Sequence, residues 1–207
     1  MADVTLTYKG STIAEMNNSG TKTLKTSGKY CEGDIGINYV KPSSGGSGFW
    51  EEDYAKQIIE GTFTEIIWPS GITKINGNIF YNNENLTNVT LPNTLESIGV
   101  GVFMYCSNLK ITTIPAGVRL VGGSAFANCV SIQTLDFLGG PDIDMFAFDS
   151  CTGLTSVTFK GTPTSISSHA FDRCTNLTNI YVPWAEGAVK GAPWGATNAT
   201  IHYNTTT

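Results

Sequence analysis

Five cysteines and two histidines are the residues of this chain best suited to chemistry, and their spacing decides what chemistry is open to them. Cys106, Cys129, Cys151 and Cys174 recur every 22 or 23 residues. Zinc sites draw on ligand pairs only a few residues apart, so this is not a ligand spacing. Each of the four lies three residues after a phenylalanine and three before a leucine or isoleucine: FMYCSNL at 103–109, FANCVSI at 126–132, FDSCTGL at 148–154 and FDRCTNL at 171–177. FYNNENL at 80–86 puts Asn83 in the same slot. The slot requires a small side chain that can be buried and can bond weakly to backbone, and Asn meets that need with stronger hydrogen bonds. Disulfides are the alternative, because stacked copies bring neighbouring Cα atoms within bridging range. Equivalent side chains in a stack point the same way, however, and five cysteines leave one over. The repeat cysteines therefore read as buried free thiols. Cys31, in GKYCEGD, stands alone in a hairpin, with no helix N-terminus or partner base to activate it.

The remaining polar groups point away from catalysis. His169 and His202 fall in different copies of the repeat, and His169 reads as a solvated surface residue. DID at 142–144 sets Asp142 and Asp144 on one side of an extended chain. With Asp149 they compose a candidate cation site, against which a solvated turn is the plainer reading. LGGPD is followed by neither a helix nor a Lys-Ser/Thr pair, so it is not a phosphate loop. Asn85-Leu86-Thr87 matches a glycosylation acceptor but belongs to the repeat itself. The expectation is a non-enzymatic chain with no catalytic residue, metal or cofactor.

The repeat must position everything else, and a period of this size is the signature of a solenoid. Counting from the last Leu or Ile of each motif, the +3 slot holds Val89, Thr112, Leu135, Val157 and Ile180. The +5 slot holds Leu91, Ile114, Phe137, Phe159 and Val182. Both slots face inward on a short strand. An incomplete earlier coil fits Phe63, Ile66 and Trp68 to the same positions. Proline at 69, 92, 115 and 183 ends the strand, having no N–H to give a ladder. Ile75, Ile98, Val121, Ile143 and Ile166 stand five residues before each phenylalanine. No coil can bury this set alone, whereas stacked coils make a continuous core with parallel strands about 4.8 Å apart. Residues 98–106 have no alternation and predict a short helical turn. FLGGPDID replaces the Pro-turn in a coil one residue short, a local change of curvature.

Four segments follow. Residues 1–42 read as a small β-rich module, with VTLTY, TKTLKT and DIGINYV alternating and Ile35, Ile37 and Tyr39 on one face. SSGGSG at 43–48 is a flexible linker. Residues 49–183 hold the solenoid. Residues 184–207 break the pattern and read as its cap, with Trp184 and Trp194 over the open end and Ala199, Ile201 and Tyr203 alternating as a final strand. The chain has 207 residues, 41% hydrophobic and 14% charged, with a net charge of −5. That is length enough for a sizeable core, and without a Lys/Arg block it excludes a nucleic-acid groove or an anionic membrane surface. No apolar run is long enough to insert in a membrane. MADVTLTYKG lacks the basic-then-apolar pattern of a signal peptide, so a natural start there implies no ordinary secretory export.

NLTNVTLPNTLESIGVGVFMYCSNL resembles the BspA-like, or Treponema pallidum-type, leucine-rich repeat, and the likeness runs over roughly 63–183. It implies an α/β repeat solenoid: a leucine-rich-repeat stack with a parallel β-sheet face and short helical turns on the other side. It also implies a binding or adhesion scaffold. Separately, residues 4–40 and the closing IYVPWAEGAVKGAPWGATNATIHYN are similar to segments of tail-associated structural proteins of bacteriophages and prophages.

In such a stack the +2 and +4 residues point outward: Glu65 and Ile67, Asn88 and Thr90, Ile111 and Thr113, Thr134 and Asp136, Ser156 and Thr158, Asn179 and Tyr181. Threonine is a good strand former, which accounts for much of this composition. The functional reading is a hydrogen-bonding platform with Ile67, Ile111 and Tyr181 as apolar anchors, suited to a host-surface protein or glycan. Three roles remain. One is a phage virion protein, extracellular after lysis, that attaches to other virion proteins through 1–42 and binds a host ligand through the solenoid. The second is a bacterial cell-surface or secreted adhesin, and the third a purely structural spacer. A homo-oligomer is compatible with each.

Overall fold

The computed structural model describes the backbone of 4–8, 11–16, 22–24 and 36–39, and, apart from residues 76, 77, 79 and 85, the chain from 73 to 205. Strands β1 (Val4–Tyr8), β2 (Ser11–Met16), β3 (Lys22–Leu24) and β4 (Gly36–Tyr39) form an antiparallel sheet in the order β3-β2-β1-β4. A bulge at Leu6/Thr7 interrupts the β1–β2 register. The expected incomplete coil at Phe63, Ile66 and Trp68 lies outside the described residues, as does Cys31.

From residue 73 onward the chain is a parallel β-solenoid, and the whole stack amounts to about six turns. The coils build two sheets. The first contains β5 (Lys74–Ile75), β6 (Ser97–Ile98), β8 (Leu120–Val121) and β10 (Asp142–Ile143), all parallel, with Ile166 bridged to Ile143. The second contains β7 (Thr113–Ile114), β9 (Thr134–Phe137), β11 (Ser156–Phe159), β12 (Asn179–Tyr181) and β13 (Thr200–His202), in parallel order β13-β12-β11-β9-β7. Their register matches slot to slot: Leu135 to Val157, Val157 to Ile180, Ile180 to Ile201.

The inward slots make one continuous core. Ile75, Ile98, Val121, Ile143 and Ile166 are all buried behind the first sheet. Phe80, Phe103, Phe126, Phe148 and Phe171 form a column of stacked rings, with successive centroids 5.5, 5.2, 5.2 and 5.3 Å apart. A second stack, Phe137 on Phe159 at 4.5 Å, continues edge-on into Trp184, which meets Trp194 in turn. Trp194 is fully buried, and Ala199, Ile201 and Tyr203 pack partly buried against the core.

The expected helical turns are not helices: among the described residues there is none. The reason lies in how the backbone is shared. In the arm before Cys106, the N–H groups of Gly101, Phe103 and Tyr105 donate to Gly123, Ala125 and Ala127 of the next coil. The alternate N–H groups, of Met104 and Cys106, close tight turns onto Gly101 and Phe103. Positive φ values two residues before and after the phenylalanine make this alternation possible, as at Asn78 and Asn82, Gly101 and Tyr105, Ser124 and Asn128, and Phe146 and Ser150. A helix would spend every N–H within its own coil and leave the next coil unpaired.

Two further departures from slot counting occur. Thr112 is exposed and Ile111 is buried at 2% exposure, the reverse of the expectation. Thr112 still accepts the Asp136 N–H at 2.9 Å, so only the side chains exchange places. Burying an isoleucine is worth about 1.5–3 kcal/mol, more than regular alternation in a strand that begins only at Thr113. In the short coil, the glycines of FLGGPDID sit where backbones nearly touch: a Cβ on Gly140 would lie 2.4 Å from Thr162.

Candidate binding face

The cysteines are positioned by the coil below. Each thiol donates to the carbonyl of the phenylalanine one coil back: Cys106 to Phe80, Cys129 to Phe103, Cys151 to Phe126 and Cys174 to Phe148, at 3.0–3.1 Å. All four are free and buried. Burial pushes the Cys106 thiol up to about 12. Burial likewise raises Cys129, helped by the nearby Cys106, and raises Cys151, helped by its bond with Cys174. These are inert structural thiols, not nucleophiles. Asn83 occupies the slot fully buried, and among the described residues its side-chain amide has no hydrogen-bond partner; the coil one step back, which supplies the carbonyl for each cysteine, lies outside them.

Asp142 and Asp149 are occupied, and Asp144 is exposed. Asp142 accepts the Ser165 N–H at 2.8 Å. Asp149 is buried and gripped from both oxygens by Arg173, with a further bond from Ser150. This pairing raises the Arg173 pKa. His169 is exposed, bonded to Asp172 at 2.9 Å, with its ring against Phe146. No nucleophile faces it, and among the described residues no cluster of acidic, His or Cys side chains could hold a metal.

The second sheet supplies the outward face. Glu65 and Ile67 lie outside the described residues, and the buried Ile111 is not on the face. Asn88, Thr90, Thr113 and Thr134 are exposed there, while Asp136, Ser156, Thr158, Asn179 and Tyr181 are half-buried. The register aligns Thr134, Ser156, Asn179 and Thr200 in one row, and Thr113, Asp136, Thr158, Tyr181 and His202 in another. His202 is the residue that slot counting missed. It lies on the final strand, where its ring stacks on Tyr181 at 4.5 Å and its Nε2 lies 2.9 Å from Asn179 Oδ1. The signal was present in the alternation of NATIHY, which places His202 at the +4 position of one more coil. The face is thus polar over β7, β9 and β11 and aromatic at β12 and β13. The face is rich in hydroxyl groups, with one stacked aromatic pair at its end.

Comparison with known proteins agrees with this architecture. The profile described as "BspA type Leucine rich repeat region" matches six copies, over residues 59–141 and 141–186. The leucine-rich repeat protein of T. pallidum superposes with a TM-score of 0.54 at 25% identity, covering 69% of this chain and 70% of that one. Pneumococcal vaccine antigen PcpA aligns at 17% identity over 70% of this chain and 40% of its own, with a TM-score of 0.47. A leucine-rich cell surface protein of Faecalibacterium prausnitzii aligns at 21% identity over 86% of this chain and 54% of its own, with a TM-score of 0.41. No curated protein matches the chain.

Proposed function

The chain belongs to the BspA-type leucine-rich repeat family, and from that premise we propose a non-enzymatic binding protein that presents its outward strand face to a protein or glycan partner. The observation that carries this reading is the face itself. Its two rows of hydroxyl, amide and carboxylate groups stand on a sheet whose other side is fully committed to the core. The hydrogen bonds that build the stack are mainly backbone ladders and buried thiols, and over β7, β9 and β11 the row side chains are left to face outward. Proteins of this family are typically cell-surface or secreted, which supports a bacterial surface or secreted adhesin over the other settings. The tail-associated setting implied by residues 1–42 and the closing segment draws on phrase similarity alone. Binding to a glycan array and to immobilised extracellular proteins tests the proposal. The pair Asp136→Ala and Tyr181→Ser should abolish a wild-type signal while each keeps a cooperative melting transition, lowered modestly for Tyr181→Ser by loss of its stack on His202. Unaltered binding by both variants would refute the face as the site.

A further inference from the structure

The last coil is open where every interior coil is closed. In the second sheet, residues 200 and 202 point their backbone groups at β12: Thr200 N–H donates to Thr178, and the His202 carbonyl accepts from Val182. In a parallel ladder the residue between them faces the other way. The N–H and C=O of Ile201 therefore point out of the stack, in the direction that interior coils use to bind their successors. The inward slots tell the same story. Ile180 and Val182 are fully buried, whereas their successors Ile201 and Tyr203 are only half-buried.

Natural sheets guard such an edge with lysine, inward charge, proline or a covering segment. Among the described residues none of these guards stands on β13, which reads Thr-Ile-His. From Gly191 to Thr207 the sequence contains no Asp, Glu, Lys or Arg. An uncharged edge carrying one free donor and one free acceptor on a single residue is self-complementary. In an antiparallel pair, residues directly opposite at a hydrogen-bonded position exchange both N–H···O bonds. A two-fold axis at Ile201 satisfies both groups at once, with Ile201 of the partner subunit.

We infer that two copies of the chain pair antiparallel through β13, with Ile201 on the two-fold axis. The pairing joins the two five-stranded sheets into one and continues the Ile201 and Tyr203 stripe across the junction. It also sets the two outward faces side by side on the same surface, the arrangement that lets a weak face gain by bivalent binding. The pairing does not depend on what the face binds.

Sedimentation and light scattering of the full chain over a dilution series test the inference, together with hydrogen exchange at the Ile201 amide. The expected result is a monomer–dimer equilibrium in which Ile201 protection falls in step with the dimer fraction. Ile201→Pro removes the outward N–H at a position where edge strands accept proline, trims a side chain that packs partly buried on the core, and should be monomeric at every concentration. A wild-type chain that stays monomeric overturns the inference, as does assembly beyond two copies. A dimer that survives Ile201→Pro also overturns it. If Ile201→Pro melts early, the wild-type exchange decides: protection at Ile201 that ignores dilution places any dimer elsewhere and defeats the pairing.

Discussion

Phe148→Ala removes the ring with the richest aromatic surroundings in the stack. Phe148 is fully buried, 5.2 Å from Phe126 with the planes 3° apart and 5.3 Å from Phe171, and it meets Phe137 edge-on at 5.7 Å. Truncating a buried phenylalanine to alanine costs about 3–5 kcal/mol through lost transfer energy and the cavity left behind. Each favourable aromatic pair adds about 0.5–1.5 kcal/mol beyond area. Three pairs place Phe148→Ala at the upper end of the range. Phe171 stacks on Phe148 alone, so Phe171→Ala should cost less, by about 1–3 kcal/mol for two fewer pairs. Urea unfolding followed by tryptophan fluorescence reads both, since Trp184 and Trp194 are buried at the end of the core. In a solenoid, stability sums over nearest-neighbour interfaces, so the interior variant should also broaden the transition by weakening coupling across the stack. A loss below about 1 kcal/mol for Phe148→Ala, the average for an arbitrary substitution, would refute the stacked core, and so would equal losses for the two variants.

Four further outcomes follow from the geometry. The native thiols Cys106, Cys129 and Cys151 should resist alkylation at mildly alkaline pH until the protein is unfolded, as read by mass spectrometry with and without urea. Their raised pKa values make stability full below the ordinary thiol value of 9.0 and falling above it, because the unfolded chain then loses protons that the native chain retains. For Cys106 the loss runs from pH 9.0 to about 12, at up to about 1.4 kcal/mol per pH unit. A chemical-denaturation midpoint that is flat across this window would contradict the buried thiol. Gly195→Ala should lower the melting temperature far more than Gly187→Ala: both have positive φ, but a Cβ on Gly195 would lie 2.8 Å from the Asp172 backbone nitrogen, whereas Gly187 faces open space. Cys129→Ala should destabilise more than Cys129→Ser, because serine keeps a donor for the Phe103 carbonyl, and equal midpoints would show that this bond contributes nothing.

The sequence showed the stack and most of its inward slots because burial leaves a periodic mark. Ile75, Ile98, Val121, Ile143 and Ile166, each five residues before a phenylalanine, and the column of rings stand where the period puts them. Backbone strategy leaves no such mark. The residues that adopt positive φ include Tyr105, Phe146 and Arg173 alongside asparagines, so type alone does not reveal that the arm shares its N–H groups between coils instead of forming a helix. Slot counting also assigned sides by position without weighing apolar area, and it therefore exchanged Ile111 with Thr112. Asn83 fits the slot by size and is fully buried there, as the repeat requires. On the face, His202 escaped notice because it follows the last full motif, although the ladder carries it into line with Tyr181.

The most direct measurement is proton NMR of the chain with labelled phenylalanine rings. Coils that stack in order predict contacts from Phe103 to Phe126, Phe126 to Phe148 and Phe148 to Phe171, with no contact that skips a coil and no relaxation of these rings by a water-borne paramagnet. Rings without mutual contacts, or rings relaxed by the paramagnet, would contradict the stack on which the binding face stands.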